Sequence, residues 1–493
     1  MLEERQSIGG RRQIAAEANV TLSSPKENVT SRSDGRSQVR RAQPNLLFIF
    51  SDEHRACSLS GEPYCDVQTT HLRRLAQEGT LFGKCISNYP VCSPYRAMLL
   101  SGRWPFQTGV VDNALGLRDE EFSLGQAFRC AGYHTGYIGK WHLSRGDHEA
   151  GEFVPKGPAR QGFEDWQVWS RTRHHFDAVT FDPDTGQKIR REGYSCTLMT
   201  DAAVSFIGAN ADQPWLLVVS WGPPHPPFES APPETMRLYD PESLQLRPNV
   251  PAELASDLKR RLRGYYAHIS ALDSELGRML DKLDETGQAT NTVVVYTSDH
   301  GTMMGSHGYD GKRLPFDESC RVPFLLRYPG VVPTNRTTDV LLGAIDLFPS
   351  LCGLASVPVP QHCEGMDLSE AMRGNAMRAP ESAFLMHIQR TKAGGESGKQ
   401  APLFRGVRTD RFTYAIADTG RWCLYDNRED PYQMRNLVDE PAHARTAAAL
   451  EELVIDWLRR AQDRFPLDEA RRRGSAVYAS ELAPRSPRSA RSI

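Results

Sequence analysis

The chain contains three short apolar runs that each end in polar residues. They lie at residues 45–50, 215–220 and 292–297. Continuous runs of this length, bounded by turn-forming residues, predict strands that are buried on both faces of a parallel sheet. Asp52 follows the first run and Asp299 follows the third. We expect both at the carboxyl edge of the sheet, where open α/β sheets place their sites.

Helical periodicity lies between these runs. Residues 71–78 have helical spacing and stop at Gly79, and a second helix is predicted from residue 121 to near Gly132. A longer helix is predicted over about 258–286, where apolar side chains recur at helical intervals. The alternation of strands and helices predicts an α/β fold, with a doubly wound, mostly parallel central sheet flanked by helices.

The pattern changes near residue 381. Short strand candidates at 404–408, 412–416 and 424–426 precede a helix at about 447–464, which predicts a smaller C-terminal α+β subdomain with an antiparallel sheet. At 493 residues the chain is long enough for two domains. We predict a disordered leader at 1–43, a catalytic domain at 44–380, the subdomain at 381–470 and a disordered tail at 471–493.

Composition narrows the classes of partner. The 59 basic and 61 acidic residues give a formal charge of -2, so we expect neither nucleic acid nor an anionic membrane as a partner. No apolar run is long enough to span a membrane. The leader lacks the apolar stretch of a secretory signal, which predicts a cytoplasmic protein. The ten cysteines form no C-x-x-C pair and are expected to be reduced. The sequence leaves the oligomeric state open.

The polar residues at the predicted sheet edge suggest a metal site. Asp52, Asp299 and His300 come from distant parts of the chain but follow strands of one sheet. Such a set suits a hard divalent ion such as Ca²⁺, and the imidazole also makes Mn²⁺ possible. The alternative is that the two aspartates only cap helices that follow the strands.

A further motif gives a specific resemblance. Cys92-Ser93-Pro94-Tyr95-Arg96, followed closely by Leu99-Leu100-Ser101-Gly102, occurs in order with residues 132–142 and with Leu424-Tyr425-Asp426. From about residue 44 to residue 437 the chain resembles the formylglycine-dependent sulfatases of the alkaline-phosphatase-like superfamily. The resemblance implies that a formylglycine-generating enzyme oxidises Cys92 to formylglycine, an aldehyde whose hydrate supplies the nucleophilic oxygen.

The same resemblance implies a role for each matching residue. Asp52, Asp299, His300 and the modified Cys92 would bind the metal, and Arg96 would steady the hydrate. Lys140 and Lys312 would contact the sulfate oxygens. His225 would donate a proton to the leaving alcohol, and His142 would act as the base that helps to eliminate sulfate. Asn113 corresponds to a position near the sulfate.

Two positions depart from the commonest pattern of the family. Glu53 stands where many members carry Asp or Gln, which puts direct metal ligation by this residue in doubt. His300 stands where many members carry Asn, and a histidine there also occurs in phosphonate monoester hydrolases. His307 and Tyr309 are predicted to pack rather than to line the pocket.

The resemblance implies a sulfuric ester hydrolase that cleaves S–O through a covalent sulfate hemiacetal. The alternatives are a phosphonate monoester or phosphodiester hydrolase with the same site, and a non-catalytic glycan-binding protein in which Cys92 is never matured. Aryl sulfate, sulfated carbohydrate and choline sulfate all remain open as substrates. An aromatic and basic insert could be a substrate lid, a folded surface loop or an oligomer contact; it comprises Trp166, Trp169, Arg171, Arg173, His174 and His175. His54 is a further candidate for substrate contact, on location alone.

Overall fold

The computed structural model describes residues 43–113, 115–145, 153–169, 175–389, 391–392 and 400–473. The predictions for the leader up to residue 42 and for the tail from residue 474 lie outside the described residues, as do Arg171, Arg173 and His174 of the insert.

The strands occur throughout the described chain. They are β1 (Asn45–Asp52), β2 (Thr80–Ile86), β3 (His134–Lys140), β4 (Asp165–Trp169), β5 (Phe176–Phe181), β6 (Lys188–Tyr194), β7 (Trp215–Pro224), β8 (Thr292–Ser298), β9 (Arg321–Val322), β10 (Phe324–Arg327), β11 (Arg336–Gly343), β12 (Ser382–His387), β13 (Thr391–Lys392), β14 (Gln400–Ala401), β15 (Phe404–Thr409), β16 (Phe412–Ala417) and β17 (Gly420–Asp426).

The helices alternate with the strands in the first two thirds of the chain. They are α1 (His71–Glu78), α2 (Cys92–Ser101), α3 (Pro105–Thr108), α4 (Leu124–Cys130), α5 (Ser195–Ala209), α6 (Pro233–Met236), α7 (Ala255–Glu285), α8 (Asp317–Cys320), α9 (Leu347–Ala355), α10 (Ser369–Met372), α11 (Ala444–Ala461) and α12 (Leu467–Arg473). Every helix in the described ranges is too short or too polar to span a lipid bilayer.

The large sheet has the strand order β11-β2-β10-β8-β1-β7-β3-β4-β5-β6, and β9 pairs with β2. The centre is parallel, because β1 pairs in parallel with both β7 and β8, and β7 with β3. Antiparallel pairs occur toward both edges, as between β10 and β8 and between β4 and β5. The predicted α/β fold with a mostly parallel central sheet is therefore confirmed.

Both faces of the central strands are buried, which explains their continuous apolar sequence. On β1, Phe48 packs into the core on one face of the sheet and Ile49 into the core on the other. Leu272 and Leu276 of α7 pack into the core on the Ile49 face of the sheet. Met98 of α2 packs into the core on the opposite face. This packing fixes β1 between β7 and β8 and so fixes the positions of the residues at its carboxyl end.

The second sheet is antiparallel with the order β12-β15-β16-β17. Helix α11 covers it, and Trp457 of that helix stacks on Phe384 of β12 at 5.7 Å between ring centroids. The predicted small antiparallel sheet with a covering helix is confirmed.

Two element boundaries differ from the prediction. Helix α4 begins at Leu124 rather than at residue 121, because the Ser123 side chain accepts a hydrogen bond from the backbone N–H of Gln126 and caps the helix there. Helix α12 continues to Arg473, three residues into the segment that the sequence assigns to a disordered tail. Arg471 is held there by an ion pair with Glu451.

Candidate active site

The candidate site is built where β1, β8 and α2 meet. Asp52 is the last residue of β1, Asp299 follows β8 directly, and Cys92 is the first residue of α2. All three side chains are buried. Because β1 and β8 are parallel neighbours, their carboxyl ends bring the two aspartates together as predicted.

The four predicted metal ligands form one buried cluster. Ligand atoms of Asp52, Cys92, Asp299 and His300 all lie within 4.8 Å of one another. The Cys92 Sγ lies 3.3 Å from His300 Nε2 and 3.8 Å from Asp52 Oδ1, and His300 Nε2 lies 3.6 Å from Asp299 Oδ1. The sequence prediction that these residues meet is supported by this geometry.

The tautomer of His300 suits metal binding. Its Nδ1 lies 2.8 Å from the carbonyl oxygen of Gly301, and because a carbonyl can only accept, Nδ1 carries the hydrogen. The lone pair of Nε2 is then directed into the cluster. A hydrogen bond of this kind is the usual way in which proteins orient a ligating histidine. The donor set of two carboxylates, one imidazole and residue 92 thus fits a divalent ion.

The two aspartates have opposite pKa shifts. Burial raises the pKa of Asp299, and the neighbouring Asp52 raises it further, to about 6. Burial and Cys92 also act to raise the pKa of Asp52, but the positive charges of Lys140 and Lys312 outweigh them and hold that pKa well below its usual range. Two buried carboxylates at this distance repel each other, so a bound cation would favour the charged form of both.

Arg96 lies one turn along α2 from Cys92 and supports the cluster from within the protein. Its Nη2 is 3.4 Å from Asp52 Oδ2 and 3.3 Å from Asp299 Oδ2. Its Nη1 donates hydrogen bonds to the Lys140 carbonyl at 2.7 Å and to Ser220 Oγ at 2.6 Å. Arg96 therefore contacts both carboxylates, and its predicted role in steadying the hydrate at residue 92 stays a prediction.

The two predicted sulfate-contacting lysines both act on the buried cluster around Cys92. Lys312 Nζ is 3.3 Å from Cys92 Sγ, and Lys140 Nζ forms an ion pair with Asp52. Although burial acts to raise the pKa of the Cys92 thiol, these two ammonium groups lower it well below its usual value. The positive field that favours a thiolate would equally favour a sulfate group.

His142 is placed as a base would be. It follows β3 in a left-handed conformation with φ 58°, both of its ring nitrogens are buried, and its interaction with the Cys92 side chain acts to raise its pKa. Burial lowers its pKa to about 3, and Lys140 acts in the same direction. A neutral imidazole with a free lone pair can accept a proton.

His225 approaches the cluster from the loop after β7. Its Nδ1 lies 2.7 Å from the Pro226 carbonyl, so Nδ1 donates and Nε2 faces the site, 3.6 Å from Glu53 Oε1. The side chain is 34 % exposed, in contrast to the buried cluster behind it. A histidine in this position can exchange a proton with a group that enters from solvent.

Asn113 lies next to Cys92, as predicted. Its Oδ1 accepts a hydrogen bond from the backbone N–H of Ser93 at 3.0 Å, and its Nδ2 is 3.9 Å from Cys92 Sγ. The first contact holds the start of α2, and the second leaves an N–H donor beside residue 92.

Other candidate residues have structural contacts. His54 is fully buried, with Nδ1 2.8 Å from Tyr296 Oη and Nε2 3.0 Å from the Ser58 carbonyl, so both ring nitrogens are occupied inside the protein. His307 stacks on Phe316 at 4.2 Å, in agreement with the predicted packing role. Trp166 is partly buried and packs edge-on against the core residue Trp141.

The sequence reasoning missed two features of the site. Glu53 pairs with Lys312, whose Nζ lies 2.5 Å from Glu53 Oε1, a contact that the sequence analysis did not predict. His175, placed in the insert by the sequence, is buried and contacts the carbonyl of His225. Both contacts join residues that are far apart in the sequence and have no local signal. The position of Glu53 directly after Asp52 is a hint that its side chain lies near the candidate metal ligands.

Comparisons with known proteins agree with this geometry. Residues 44–357 match the family model described as Sulfatase, and residues 305–460 match the model described as N-sulphoglucosamine sulphohydrolase, C-terminal. An ulvan-active sulfatase of Formosa agariphila is 36 % identical over 438 residues, which cover 87 % of this chain and 83 % of the relative.

Solved structures share the fold over most of their length. A Bacteroides thetaiotaomicron structure, described in connection with the metabolism of multiple glycosaminoglycans, is 26 % identical with a TM-score of 0.78 and covers 87 % of this chain and 98 % of its own. A phosphonate monoester hydrolase of Agrobacterium radiobacter has a TM-score of 0.70, covers 86 % of this chain and 97 % of its own, and is 23 % identical. At that identity the second likeness concerns the fold alone.

Proposed function

The chain belongs to the sulfatase family, and from that premise we propose that it hydrolyses a carbohydrate sulfate ester at residue 92, after Cys92 has been converted to formylglycine. The observation that carries the proposal is the joint placement around Cys92 Sγ, with Lys312 Nζ and His300 Nε2 each at 3.3 Å. These contacts support a site in which residue 92 lies between a metal ligand and a cation that binds the sulfate.

The nucleophile is the hydrate of formylglycine, which supplies an oxygen in place of the Cys92 sulfur. A divalent ion held by Asp52, Asp299, His300 and residue 92 would lower the pKa of that hydroxyl and polarise the sulfate oxygens. The all-buried cluster with two carboxylates favours Ca²⁺, and the imidazole also allows Mn²⁺. Because the nucleophile forms only after Cys92 has been oxidised, a formylglycine-generating enzyme is a required partner of this chain.

The protein's own residues bind the sulfate and move the protons. Lys140 and Lys312 place fixed positive charges where the nonbridging oxygens gain negative charge in the transition state. His225 acts in its doubly protonated form: the Pro226 carbonyl holds the Nδ1 hydrogen, the Nε2 proton passes to the leaving alcohol, and the ring is left neutral. His142, a neutral ring that interacts with residue 92, takes up the proton whose loss allows sulfate to depart.

The proposed substrate class is a sulfated carbohydrate. Support comes from the relative described as an ulvan-active sulfatase and from the partly exposed His225 beside the buried cluster. A partly exposed proton donor in front of a buried cluster suits a substrate whose alcohol part remains near the protein surface.

A second candidate is supported by one residue. His300 stands at a ligand position where a histidine also occurs in phosphonate monoester hydrolases, and such an enzyme shares the fold. Tetrahedral sulfur and phosphorus esters differ in charge more than in shape, so the same site could bind either.

Parallel assays distinguish the two candidates. The chain is produced with a formylglycine-generating enzyme, loaded with Ca²⁺, and tested on 4-nitrophenyl sulfate, on a 4-nitrophenyl phosphonate monoester and on sulfated monosaccharides. The proposal predicts higher kcat/KM for the sulfates. Preference for the phosphonate would establish the second candidate, and no turnover of any sulfate by fully converted protein would refute the proposed function.

A further inference from the structure

The direction of the His225 imidazole depends on the backbone that carries it. His225 lies in a loop with prolines on both sides, between β7 and α6. Its only described side-chain hydrogen bond runs to the carbonyl of the adjacent Pro226, so that contact moves with the loop. Whatever holds residues 225–227 therefore also sets where Nε2 points.

A buried histidine holds the first of these residues. The His175 Nε2 lies 2.7 Å from the carbonyl oxygen of His225, and because a carbonyl accepts, Nε2 donates. His175 is itself fixed, since its carbonyl accepts a hydrogen bond from the backbone N–H of Ser195 at 2.8 Å. It is 4 % exposed, so this hydrogen bond is shielded from water.

A second buried histidine holds the loop two residues further on. The His268 Nε2 on α7 lies 3.3 Å from the Pro227 carbonyl, and its Nδ1 accepts from the hydroxyl of Tyr194 at 2.8 Å. The rings of His175 and His268 meet edge to face with 4.8 Å between centroids. Residues from α7, from the end of β6 and from just before β5 thus converge on one loop.

Both rings are neutral at neutral pH. Burial lowers the pKa of His175 to about 4 and that of His268 well below its usual value. Each ring therefore carries one hydrogen, on the Nε2 that donates to a loop carbonyl. The Nδ1 of His268 then accepts the hydrogen bond from the Tyr194 hydroxyl.

We propose that His175 and His268 are positioning residues that clamp the carbonyls of His225 and Pro227 and thereby aim the His225 Nε2 at the leaving-group oxygen. The proposal rests on the proposed function, in which His225 is the proton donor. General acid catalysis contributes about 10²- to 10⁴-fold, and it requires hydrogen-bonding distance to the accepting oxygen. Loosening the loop should therefore cost part of that factor without altering the sulfate site.

The test uses leaving groups of different acidity. A good leaving group such as 4-nitrophenol departs with little help from an acid, whereas phenol needs more. The ratio of kcat/KM for 4-nitrophenyl sulfate to that for phenyl sulfate is measured in wild type, His175→Phe and His175→Gln. Phe keeps the ring volume but removes the donor, while Gln retains an N–H donor with similar reach.

The expected result is a ratio about tenfold higher in His175→Phe than in wild type, with His175→Gln close to wild type. A matched control is Leu283→Ala, which removes a buried side chain from α7 outside the site and should lower stability without changing the ratio. If His175→Phe does not fold, Tyr194→Phe replaces it as the test. This change keeps the buried ring but removes the hydroxyl that holds the hydrogen of His268 on Nε2, and we expect about a threefold rise in the ratio.

An unchanged ratio in a folded variant would overturn the proposal and leave the two histidines as core packing. A crystal structure of His175→Phe gives a readout independent of activity, because the His225 ring should shift or lose order. An unmoved His225 would also overturn the proposal. If wild type hydrolyses aryl phosphonates instead of sulfates, the proposed substrate is wrong, but the same ratio measured on those esters still tests the clamp.

Discussion

The ammonium group of Lys312 donates a hydrogen bond to the buried carboxylate of Glu53, with 2.5 Å between Nζ and Oε1. The same nitrogen is 3.3 Å from Cys92 Sγ. Lys312 therefore has two roles that can be separated by substitution, one as the partner of a buried carboxylate and one beside the reacting residue.

We predict that Lys312→Met lowers both stability and activity. Removing one partner leaves Glu53 buried without its counter-charge, which costs about 3–5 kcal/mol in the free energy of unfolding. Loss of the charge beside residue 92 should reduce kcat by about 10²-fold or more. Denaturant unfolding and turnover of 4-nitrophenyl sulfate measure the two effects.

The double variant Glu53→Gln/Lys312→Met is the control. It removes the unpaired charge and should recover most of the stability but none of the activity. Recovery of activity together with stability would contradict a direct role of Lys312 at the sulfate.

Metal removal is predicted to affect the buried cluster strongly. Chelation leaves Asp52 and Asp299 in mutual repulsion, so we expect loss of turnover and a lower Tm, both restored by Ca²⁺. In His300→Asn the imidazole is replaced by an amide oxygen, a harder ligand, so support by Mn²⁺ should fall more than support by Ca²⁺. Full activity after exhaustive chelation would exclude a catalytic metal.

Arg96 offers a test of how the carboxylates are oriented. Arg96→Lys keeps a positive charge but loses the fork that bonds Lys140, Ser220 and the two aspartates at once. We predict about 10- to 100-fold weaker metal binding, the range seen when groups that orient metal ligands are replaced. Ser220→Ala removes a single partner of the same guanidinium and should cost less. Equal affinities in isothermal titration would show that charge alone suffices.

Two buried histidines outside the metal cluster predict a loss of stability in mild acid. Burial lowers the pKa of His175 and of His387 to about 4, below the value of 6.5 expected when unfolded. The unfolded chain therefore binds more protons between pH 6.5 and 4, and stability is lost as the pH falls through that window, by about 3 kcal/mol per histidine. Asp346 opposes this, because burial raises its pKa to about 6 and its protonation restores stability as the pH falls.

His387→Asn isolates one of these contributions. Asn keeps a donor for the Pro402 carbonyl, which His387 contacts at 2.8 Å, but does not titrate. Its unfolding midpoint should fall less between pH 7 and pH 4.5 than that of wild type. If the unfolding midpoints of the two proteins fall equally over this pH range, the pKa of His387 is not lowered in the folded state.

Much of the fold and of the site could be predicted because it depends on local patterns. The run that forms β1 is apolar at every position because Phe48 and Ile49 pack into different cores, and its polar end marked Asp52. Motif matches identified Cys92, Lys140, His142 and Lys312, and the structure brings all four together.

The remaining features depend on contacts between distant residues. The sequence analysis did not predict that α2 begins at Cys92, because Pro94 interrupts the helical pattern there. Proline is nevertheless tolerated in the first turn of a helix. The antiparallel pairing of β4 with β5 and the pair of Glu53 with Lys312 have no signature in either partner alone. The same holds for His175, whose role depends on a carbonyl 50 residues away.

The most direct test of the central claim compares conversion of Cys92 with turnover in the same samples. Protein is produced with graded amounts of a formylglycine-generating enzyme, and peptide mass spectrometry gives the fraction that has lost roughly 18 Da at residue 92. We predict that turnover of 4-nitrophenyl sulfate rises in proportion to that fraction and is lost in Cys92→Ala. Turnover that is independent of conversion, or that persists in Cys92→Ala, would contradict the account.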